Sequence, residues 1–343
     1  MKASRESRIV VYPGYGYVTT AGDVSLRVSG VVYEHRRPLN MRKQFLVNML
    51  ARAMRASPDE VSDETFRRRV APFVARARRG QRVWLQVGPR RFRLRRRTRR
   101  SGWFRGKVSL SRELLDELRS SGELADDRIT IRAWLSSDDH VEAVGSVFVL
   151  PEQGISVVSD IDDTIKETNV SNRRELLANT FLREFRCIDG MAELYRQWAA
   201  KGAAFHYVSS SPWQLFDPIS QWTVDGGFPH GTLHLRTFRL RDQVIRRRAS
   251  ARRRKSQSIA KMMKVFPQRK FILIGDSGEF DPEIYGKLFR EFSDRIAAVF
   301  IRDLAGQRLG IKRFAQMKAQ CSSKPCELFS TADDLRRLTS DLF

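Results

Sequence analysis

Two carboxylates spaced two residues apart follow a β-prone run near the middle of this 343-residue chain. Asp160 and Asp162 come directly after Ile155–Val158. Residues two apart in a strand point the same way, so both carboxylates can reach one site at the strand's carboxyl end. Like charges this close repel unless a cation lies between them, which indicates Mg²⁺. For these residues alone, an acidic turn after a buried strand remains the alternative.

Later predicted elements also bring polar side chains to their ends. These side chains are Ser209 after Ala204–Val208, Lys255 before the helix-like stretch Ser256–Phe266, and Asp276 and Asp281 after Phe271–Ile274. Open α/β sheets bind ligands at the carboxyl ends of their strands. A carboxylate pair, a hydroxyl, a lysine and a second carboxylate pair in this order predict a site for phosphoryl transfer.

The segments DIDDTIK, FHYVSSSPWQL and KFILIGDSGEFDPEIY resemble the haloacid dehalogenase (HAD) superfamily of phosphotransferases. Within it they look very like the magnesium-dependent phosphatidate phosphatases of the fungal actin-patch type and their bacterial relatives. The resemblance covers about Ser156–Asp303 and is weak over the first 150 residues. The chain has no proline-rich tail, so actin association is not carried over.

The resemblance implies a catalytic role for four residues. Asp160 would be the nucleophile that forms an aspartyl-phosphate, and Asp162 would be the general acid and then the general base. Ser209 would bind a phosphoryl oxygen, and Lys255 would neutralise charge on the phosphoryl group. The alternatives that stay open are Ser210 and Ser211 for the serine, and Lys261 and Lys264 for the lysine.

The predicted metal ligands overlap with these residues. Asp160, the backbone carbonyl of Asp162 and Asp276 would bind Mg²⁺, with Asp281 in support. Asp163 would point away from the pair if the strand continued, so we expect it to support the site structurally.

The fold class is predicted to be α/β. From Gly154 onward strands and helices alternate, which favours a parallel sheet with helices on both faces. The predicted strands there are Ile155–Ser159, Ala204–Ser209, Thr232–Phe238, Phe271–Gly275 and Ile296–Ile301. We therefore expect a HAD-like Rossmannoid catalytic domain over residues 153–343. A smaller β-rich, sandwich-like domain would occupy residues 1–152, with a helical insertion at about residues 41–79.

The charge of the chain is strongly positive, with a net charge of +24 and a pI of about 10.8. Every charged residue between Thr65 and Ser111 is Arg or Lys, and a second basic cluster covers Arg246–Lys255. A solvated surface is the simplest interpretation of such runs. The functional interpretation is an anionic partner, for which we expect peripheral contact of Arg67–Lys107 with an anionic membrane surface.

The residues thus predict a Mg²⁺-dependent phosphatase, and the resemblance implies that its substrate is phosphatidate, which it would convert to diacylglycerol. The three cysteines have no metal-ligand spacing, and no apolar run is long enough for a membrane span. We therefore expect a cytoplasmic protein, which would contact membranes peripherally through its basic residues. One rival is a HAD phosphatase for nucleic-acid ends or another phosphomonoester, although the basic strands are short of interleaved stacking aromatics. Another rival is a lipid-binding scaffold with an inert site. The sequence predicts no oligomeric state.

Overall fold

The computed structural model of the chain describes residues 6–19, 21–35, 41–136, 138–236, 247–304, 308–321 and 324–343. The chain divides into two compact units. The first comprises Met1–Leu46 and Ala71–Glu152, and the second comprises Val47–Val70 and Gln153–Phe343. Both units are built on sheets with helices, so the mixed α/β class is confirmed.

A helical segment is shared between the units. Its helices are α1 (Met41–Met54), α2 (Pro58–Ser62) and α3 (Glu64–Val70). The sequence analysis assigned all of residues 41–79 to the N-terminal half, whereas Val47–Val70 groups with the second unit. One buried arginine of α3, Arg69, accounts for this grouping.

Arg69 joins α3 to the second unit. Its Nη1 donates hydrogen bonds to the backbone carbonyls of Thr180 at 3.1 Å and Arg183 at 2.6 Å, and its guanidinium lies 4.0 Å from the ring centroid of Phe185. Carbonyls at the end of a helix lack partners within that helix, so a buried guanidinium stabilises them. Residue type alone does not reveal this contact, because most arginines in this part of the chain are exposed.

The first unit contains one curled, mostly antiparallel sheet. Among the described residues its strands are β1 (Glu6–Val18), β2 (Val24–His35), β3 (Arg76–Ala77), β4 (Val83–Val87), β5 (Arg90–Arg93), β6 (Trp103–Leu110), β7 (Leu124–Ala125), β8 (Arg128–Leu135) and β9 (Asp138–Val149). The order is β3-β2-β1-β9-β8-β4-β5, with β6 on β2 and β7 on β8. All nine strands thus belong to one hydrogen-bonded sheet, whereas the sequence analysis predicted a sandwich.

The core of this unit lies on the inner face of the curled sheet. Alternate residues of β4 and β8, such as Leu85 and Ile131, are fully buried there. Helix α4 (Arg112–Ser120) packs Leu114, Leu115 and Leu118 into the same cluster. The intervening residues of β4 and β8 point to the opposite face of the sheet.

The second unit contains a six-stranded parallel sheet. Its strands are β10 (Ile155–Ser159), β11 (Ala204–Pro212), β12 (Gly231–Arg236), β13 (Lys270–Asp276), β14 (Ile296–Arg302) and β15 (Cys326–Phe329), in the order β12-β11-β10-β13-β14-β15. Its remaining helices are α5 (Arg173–Phe181), α6 (Met191–Ala200), α7 (Phe216–Asp225), α8 (Arg247–Val265), α9 (Asp281–Phe292), α10 (Arg308–Lys318) and α11 (Ala332–Leu338). Strand β10 lies between β11 and β13, so all three carboxyl ends share one edge.

Some sequence predictions for this unit extend beyond the described residues. The predicted strand Thr232–Phe238 corresponds to β12 up to Arg236, and its last two residues lie outside the described ranges. Arg246 of the second basic cluster also lies outside them. Helix α8 begins at Arg247, nine residues before the predicted start at Ser256, and strand β15 was not predicted.

A buried polar network lies near the amino ends of the parallel strands. The Nδ1 of His206 lies 2.8 Å from Thr232 Oγ1, and its Nε2 lies 3.3 Å from Ser156 Oγ. Arg269 Nε donates to the same Ser156 Oγ at 2.8 Å. Burial lowers the pKa of His206 well below its usual range and lowers the pKa of His234 to about 4. Both imidazoles are therefore neutral in the folded protein at neutral pH.

We expect the free energy of unfolding to fall as the pH drops below about 6.5, the pKa of histidine in an unfolded chain. The unfolded chain then binds protons that the folded state rejects, and each histidine contributes up to about 1.4 kcal/mol per pH unit. Urea unfolding at pH 7 and pH 5 measures this loss. His206→Gln/His234→Gln keeps polar side chains without the proton equilibrium and should show a smaller loss. An equal loss in the double variant would contradict the assignment.

Candidate active site

The carboxyl ends of β10, β11 and β13 bring the candidate residues together. The backbone N–H of Asp160 donates to the carbonyl of Ile274 on β13 at 2.8 Å, so Asp160 continues the ladder at the edge of the sheet. Ser209 lies in the last residues of β11, and Asp276 ends β13. The local sequence explains this placement, since buried apolar strands end where side chains become polar.

Three buried carboxylates converge at this edge. Asp160, Asp276 and Asp281 each present one oxygen, and these oxygens all lie within 4.8 Å of one another. All three side chains are inaccessible to solvent, and Asp160 Oδ2 and Asp276 Oδ2 have no hydrogen-bond partner among the described residues. Oxygens that converge without donors are suited to bind a hard cation. The two aspartates that the sequence analysis placed on one ion therefore meet.

The electrostatics of the three-carboxylate cluster also favour a bound cation. Burial, opposed only partly by the Lys255 ammonium, raises the pKa of Asp160 well above its usual range. Burial and then the neighbouring Asp281 carboxylate raise the pKa of Asp276 as well. Anionic carboxylates at such a site require more positive charge than Lys255 supplies, and a divalent cation would supply it.

Lys255 of α8 reaches into this cluster. Its Nζ lies 2.7 Å from Asp160 Oδ1 and also contacts Asp281 Oδ1. Burial opposes its charge, but the carboxylates of Asp160 and Asp281 outweigh burial and raise the pKa of Lys255 well above its usual range. The two alternative lysines lie elsewhere, since Lys261 is exposed and Lys264 pairs with Glu291 at 3.0 Å on the surface.

The side chain of Asp162 lies outside the three-carboxylate cluster. Its Oδ1 accepts a hydrogen bond from Thr168 Oγ1 at 2.9 Å and lies 3.0 Å from Lys166 Nζ. Its Oδ2 accepts hydrogen bonds from Ser209 Oγ at 3.1 Å and Ser211 Oγ at 2.8 Å. Burial opposes ionisation, but Lys166 and these hydrogen bonds lower the pKa of Asp162. Four contacts thus fix this carboxylate, and its backbone carbonyl stays a predicted metal ligand.

The three consecutive serines lie at the same edge but have different partners. Ser209 Oγ also accepts the N–H of Ser211 at 2.9 Å, so its hydroxyl is engaged twice. Ser211 is half-buried and bonds Asp162, while Ser210 donates to Glu279 Oε2 at 2.9 Å. The phosphoryl-binding role of Ser209 stays a prediction, with Ser211 also within the site.

Sequence analysis did not identify Lys166, Thr168 and Glu279 as neighbours of the site. Lys166 and Thr168 contact Asp162, and burial raises the pKa of Glu279 beside the cluster. A tight turn after the strand brings Lys166 back beside Asp162. The four-residue spacing of these two residues in DIDDTIK is compatible with such a turn, but an alternating strand pattern does not predict it.

Asp163 forms that turn. Its φ is +55°, a left-handed conformation that Asp adopts more readily than most residues. Its carboxylate accepts the N–H groups of Thr168 and Asn169, both at 2.7 Å, and of Val170 at 2.6 Å. Asp163 therefore stabilises the loop that brings Thr168 to Asp162, in keeping with the structural role expected from sequence.

Gly275 allows the two later aspartates to approach. The backbone N–H of Asp276 donates to Asp281 Oδ2 at 3.2 Å. A Cβ at Gly275 would lie 2.7 Å from the Cβ of Asp281 and would also collide with its Oδ2. Asp281 is fully buried and cannot move aside without losing its contacts.

We expect Gly275→Ala to displace Asp281 and to lower activity strongly, because Asp281 holds Lys255 and belongs to the carboxylate cluster. Overpacking of this kind typically costs about 1–3 kcal/mol of stability. Initial rates together with urea unfolding measure both effects. Gly202→Ala is a control for an added methyl group, since no atom lies within 4 Å of a Cβ there, although its φ of +86° adds strain. Full activity in Gly275→Ala would contradict the predicted collision.

A buried aspartate beside an ammonium and an acidic cation site, at the carboxyl edge of a parallel sheet, is consistent with the HAD-like phosphotransferases. Residues 155–303 match the family described as "Phosphatidate phosphatase APP1, catalytic domain". This matched range includes every candidate residue of the site. Residues 155–303 therefore belong to this family of phosphatidate phosphatase catalytic domains.

Two curated yeast proteins are similar to the chain. An uncharacterized protein of Schizosaccharomyces pombe is 31% identical over 243 residues, which cover 67% of this chain and 40% of that protein. Phosphatidate phosphatase APP1 of Saccharomyces cerevisiae is 33% identical over 194 residues, which cover 54% of this chain and 32% of that protein. The chain thus spans less than half the length of either relative.

Proposed function

We propose that this chain is a Mg²⁺-dependent phosphatase that removes the phosphate monoester of phosphatidate and leaves diacylglycerol. The carrying observation is the convergence of Asp160, Asp276 and Asp281 beside the Lys255 ammonium, where Asp160 Oδ2 accepts no hydrogen bond from any described residue. Membership of the phosphatidate phosphatase family supports the substrate.

The residues present fit a bound Mg²⁺. Asp160 and Asp276 would hold it through their unpartnered oxygens, with Asp281 beside them and the backbone carbonyl of Asp162 as a further ligand. Bound there, Mg²⁺ would neutralise charge on the phosphoryl oxygens, as divalent cations do in phosphoryl transfer. Asp281 would mainly orient Lys255, since its two oxygens already contact Lys255 and the N–H of Asp276.

Asp160 would act as the nucleophile. Its carboxylate oxygen would form a bond to phosphorus while the bond from phosphorus to the lipid oxygen breaks, which gives an aspartyl-phosphate and diacylglycerol. Lys255 would remain protonated throughout, because two carboxylates raise its pKa. Its charge would attract the phosphoryl group and stabilise the transition state.

Asp162 would transfer the protons. It would give one to the departing lipid oxygen, and later take one from the water that attacks the aspartyl-phosphate and releases inorganic phosphate. Lys166 favours the anionic form of Asp162, whereas an arriving phosphate adds negative charge and would favour protonation. Ser209, Ser211 and Thr168 hold the carboxylate in one orientation for both transfers.

The substrate of such an enzyme lies in a membrane. No described helix is long and apolar enough to cross a bilayer. We propose a cytoplasmic enzyme that contacts anionic membranes peripherally through basic residues of Arg67–Lys107. Binding of this kind weakens as salt screens the charges.

A phosphate-release panel tests the proposed function. The purified chain would be assayed on phosphatidate and lysophosphatidate in mixed micelles and on 5′-phosphorylated oligonucleotides, each with Mg²⁺ and with EDTA. We expect the highest kcat/KM for phosphatidate and no release in EDTA. Faster release from oligonucleotides would favour a nucleic-acid phosphatase. Metal-independent release would contradict the assignment of the carboxylate cluster.

A further inference from the structure

The first unit carries a surface that combines tryptophan with arginine. It lies on the outer face of β5, β4 and β8, opposite the core, and we call it the tryptophan–arginine face. Its members are Trp84, Arg91, Arg93, Arg132 and Trp134. Their neighbours Val83, Leu85, Ala133 and Leu135 are buried on the inner face.

The sheet register assembles this face from distant parts of the chain. Trp84 lies directly opposite Arg93 on one side and Trp134 on the other. The two indole rings stack with centroids 6.2 Å apart and planes 12° apart. The guanidinium of Arg91 lies 5.6 Å from the centroid of the Trp134 ring. Phe92 of β5 packs against the core, so the aromatic rings of the outer face come from the neighbouring strands β4 and β8.

The face is cationic and bordered by an exposed apolar residue. Arg91, Arg93 and Arg132 are exposed, and neither Arg91 nor Arg93 forms an ion pair with a carboxylate of the described residues. Arg132 makes a solvent-exposed ion pair with Glu142 at 3.6 Å. Val144 lies opposite Arg132 on β9 and is 65% exposed.

We propose that the tryptophan–arginine face docks on the surface of an anionic phospholipid bilayer. Trp84 and Trp134 have the amphipathic rings that favour the boundary between headgroups and acyl chains, and arginine pairs with lipid phosphates. The inference deepens the proposed function and rests on it, since an enzyme whose substrate is a phospholipid must reach the bilayer surface.

Two observations favour a bilayer over a nucleic acid. The faces of the indole rings are partly covered by each other and by Arg91, which leaves less ring surface on which bases can stack. The exposed side chain of Val144 gains from contact with acyl chains and has no partner on a phosphodiester backbone. The arginines attract an anionic bilayer and a nucleic acid alike, but the paired tryptophans and the exposed Val144 fit the bilayer better.

A recess beside the tryptophan pair gives the surface depth. It has a volume of about 440 Å³ and is lined by Gln86, Gly88, Glu123, Thr130 and Arg132. Arg132 and Thr130 offer donors to headgroup oxygens, and Glu123 offers a carboxylate to a headgroup amine. The volume falls within the range of ligand pockets, which is roughly 300–1,000 Å³.

Vesicle sedimentation tests the docking surface separately from catalysis. The full chain in EDTA would be mixed with phosphatidylcholine vesicles that contain or lack phosphatidylserine, so that no substrate is present. We expect Arg91→Glu/Arg93→Glu to weaken binding to the anionic vesicles at least about tenfold at low salt. The matched control is Arg112→Glu/Arg119→Glu, which makes the same charge change on α4, whose apolar side packs on the inner core. It should bind like the wild type.

Three outcomes would overturn the inference. The first is equal binding of wild type and Arg91→Glu/Arg93→Glu, and the second is an equal loss of binding in the α4 control. The third is a loss of affinity for single-stranded oligonucleotides without any loss for vesicles, which would assign the face to nucleic acid. If Arg91→Glu/Arg93→Glu does not fold, the charge-neutralising variant Arg91→Gln/Arg93→Gln is tested in its place. Turnover of a water-soluble short-chain phosphatidate should be unchanged in these variants, so a failed docking surface and a failed activity are separable.

Discussion

Asp160→Asn is expected to lower the rate of phosphate release from phosphatidate at least about a thousandfold, because the nucleophile is lost and one predicted metal ligand loses its charge. The amide nitrogen that replaces a carboxylate oxygen neither attacks phosphorus nor binds a hard cation. Initial rates at saturating Mg²⁺ measure the loss. Near-normal unfolding by urea would show that the variant remains folded.

The control for this substitution is Asp333→Asn on α11, where the carboxylate is 80% exposed and pairs with Arg336. This variant should retain the wild-type rate. An Asp160→Asn enzyme with wild-type activity would remove Asp160 as nucleophile and leave Asp162, Asp276 and Asp281 without their proposed roles.

Lys255→Met is expected to destabilise the metal-free protein by about 3–5 kcal/mol, the typical cost of removing one partner of a buried ion pair. Asp160 and Asp281 would remain buried without the ammonium that both contact. Activity should also fall, because charge on the phosphoryl group would lose its protein counter-ion. Urea unfolding in EDTA and initial rates in Mg²⁺ measure the two losses.

Helix α8 provides a matched control, since Lys264→Met removes an exposed ion pair with Glu291 and should cost at most about 1 kcal/mol. Added Mg²⁺ should restore part of the stability of Lys255→Met, because the cation supplies positive charge to the same carboxylates. Similar effects of the two substitutions would show that Lys255 is not the buried counter-ion of Asp160.

Sequence patterns could predict which side chains meet at the carboxyl edge. Asp160, Ser209 and Asp276 each follow an apolar run, and neighbouring parallel strands bring such positions together. Helix α8 also begins with polar residues before its apolar side, so Lys255 could be proposed from its position. These predictions required only local periodicity and the topology of open α/β sheets.

Other features depend on contacts that local periodicity does not encode. Lys166 and Thr168 reach Asp162 through the left-handed turn at Asp163. Trp84 and Trp134 become neighbours only through the register of β4 and β8, so their stacking could not be predicted from the basic segment alone. Strand β15 is a four-residue edge strand with a weak pattern. Each case needs pairing between segments that are separate in sequence.

The hydrogen bonds from Arg69 to the carbonyls of Thr180 and Arg183 limit the order in which the chain can fold. Val47–Val70 emerges from the ribosome well before the residues on which it packs, so the second unit cannot be finished until synthesis has passed α5. A fragment trimmed to begin at Gln153 would expose the surface that α3 covers. We therefore expect residues 153–343 alone to fold less stably than the full chain, and gene fusions or truncations should include the earlier helices.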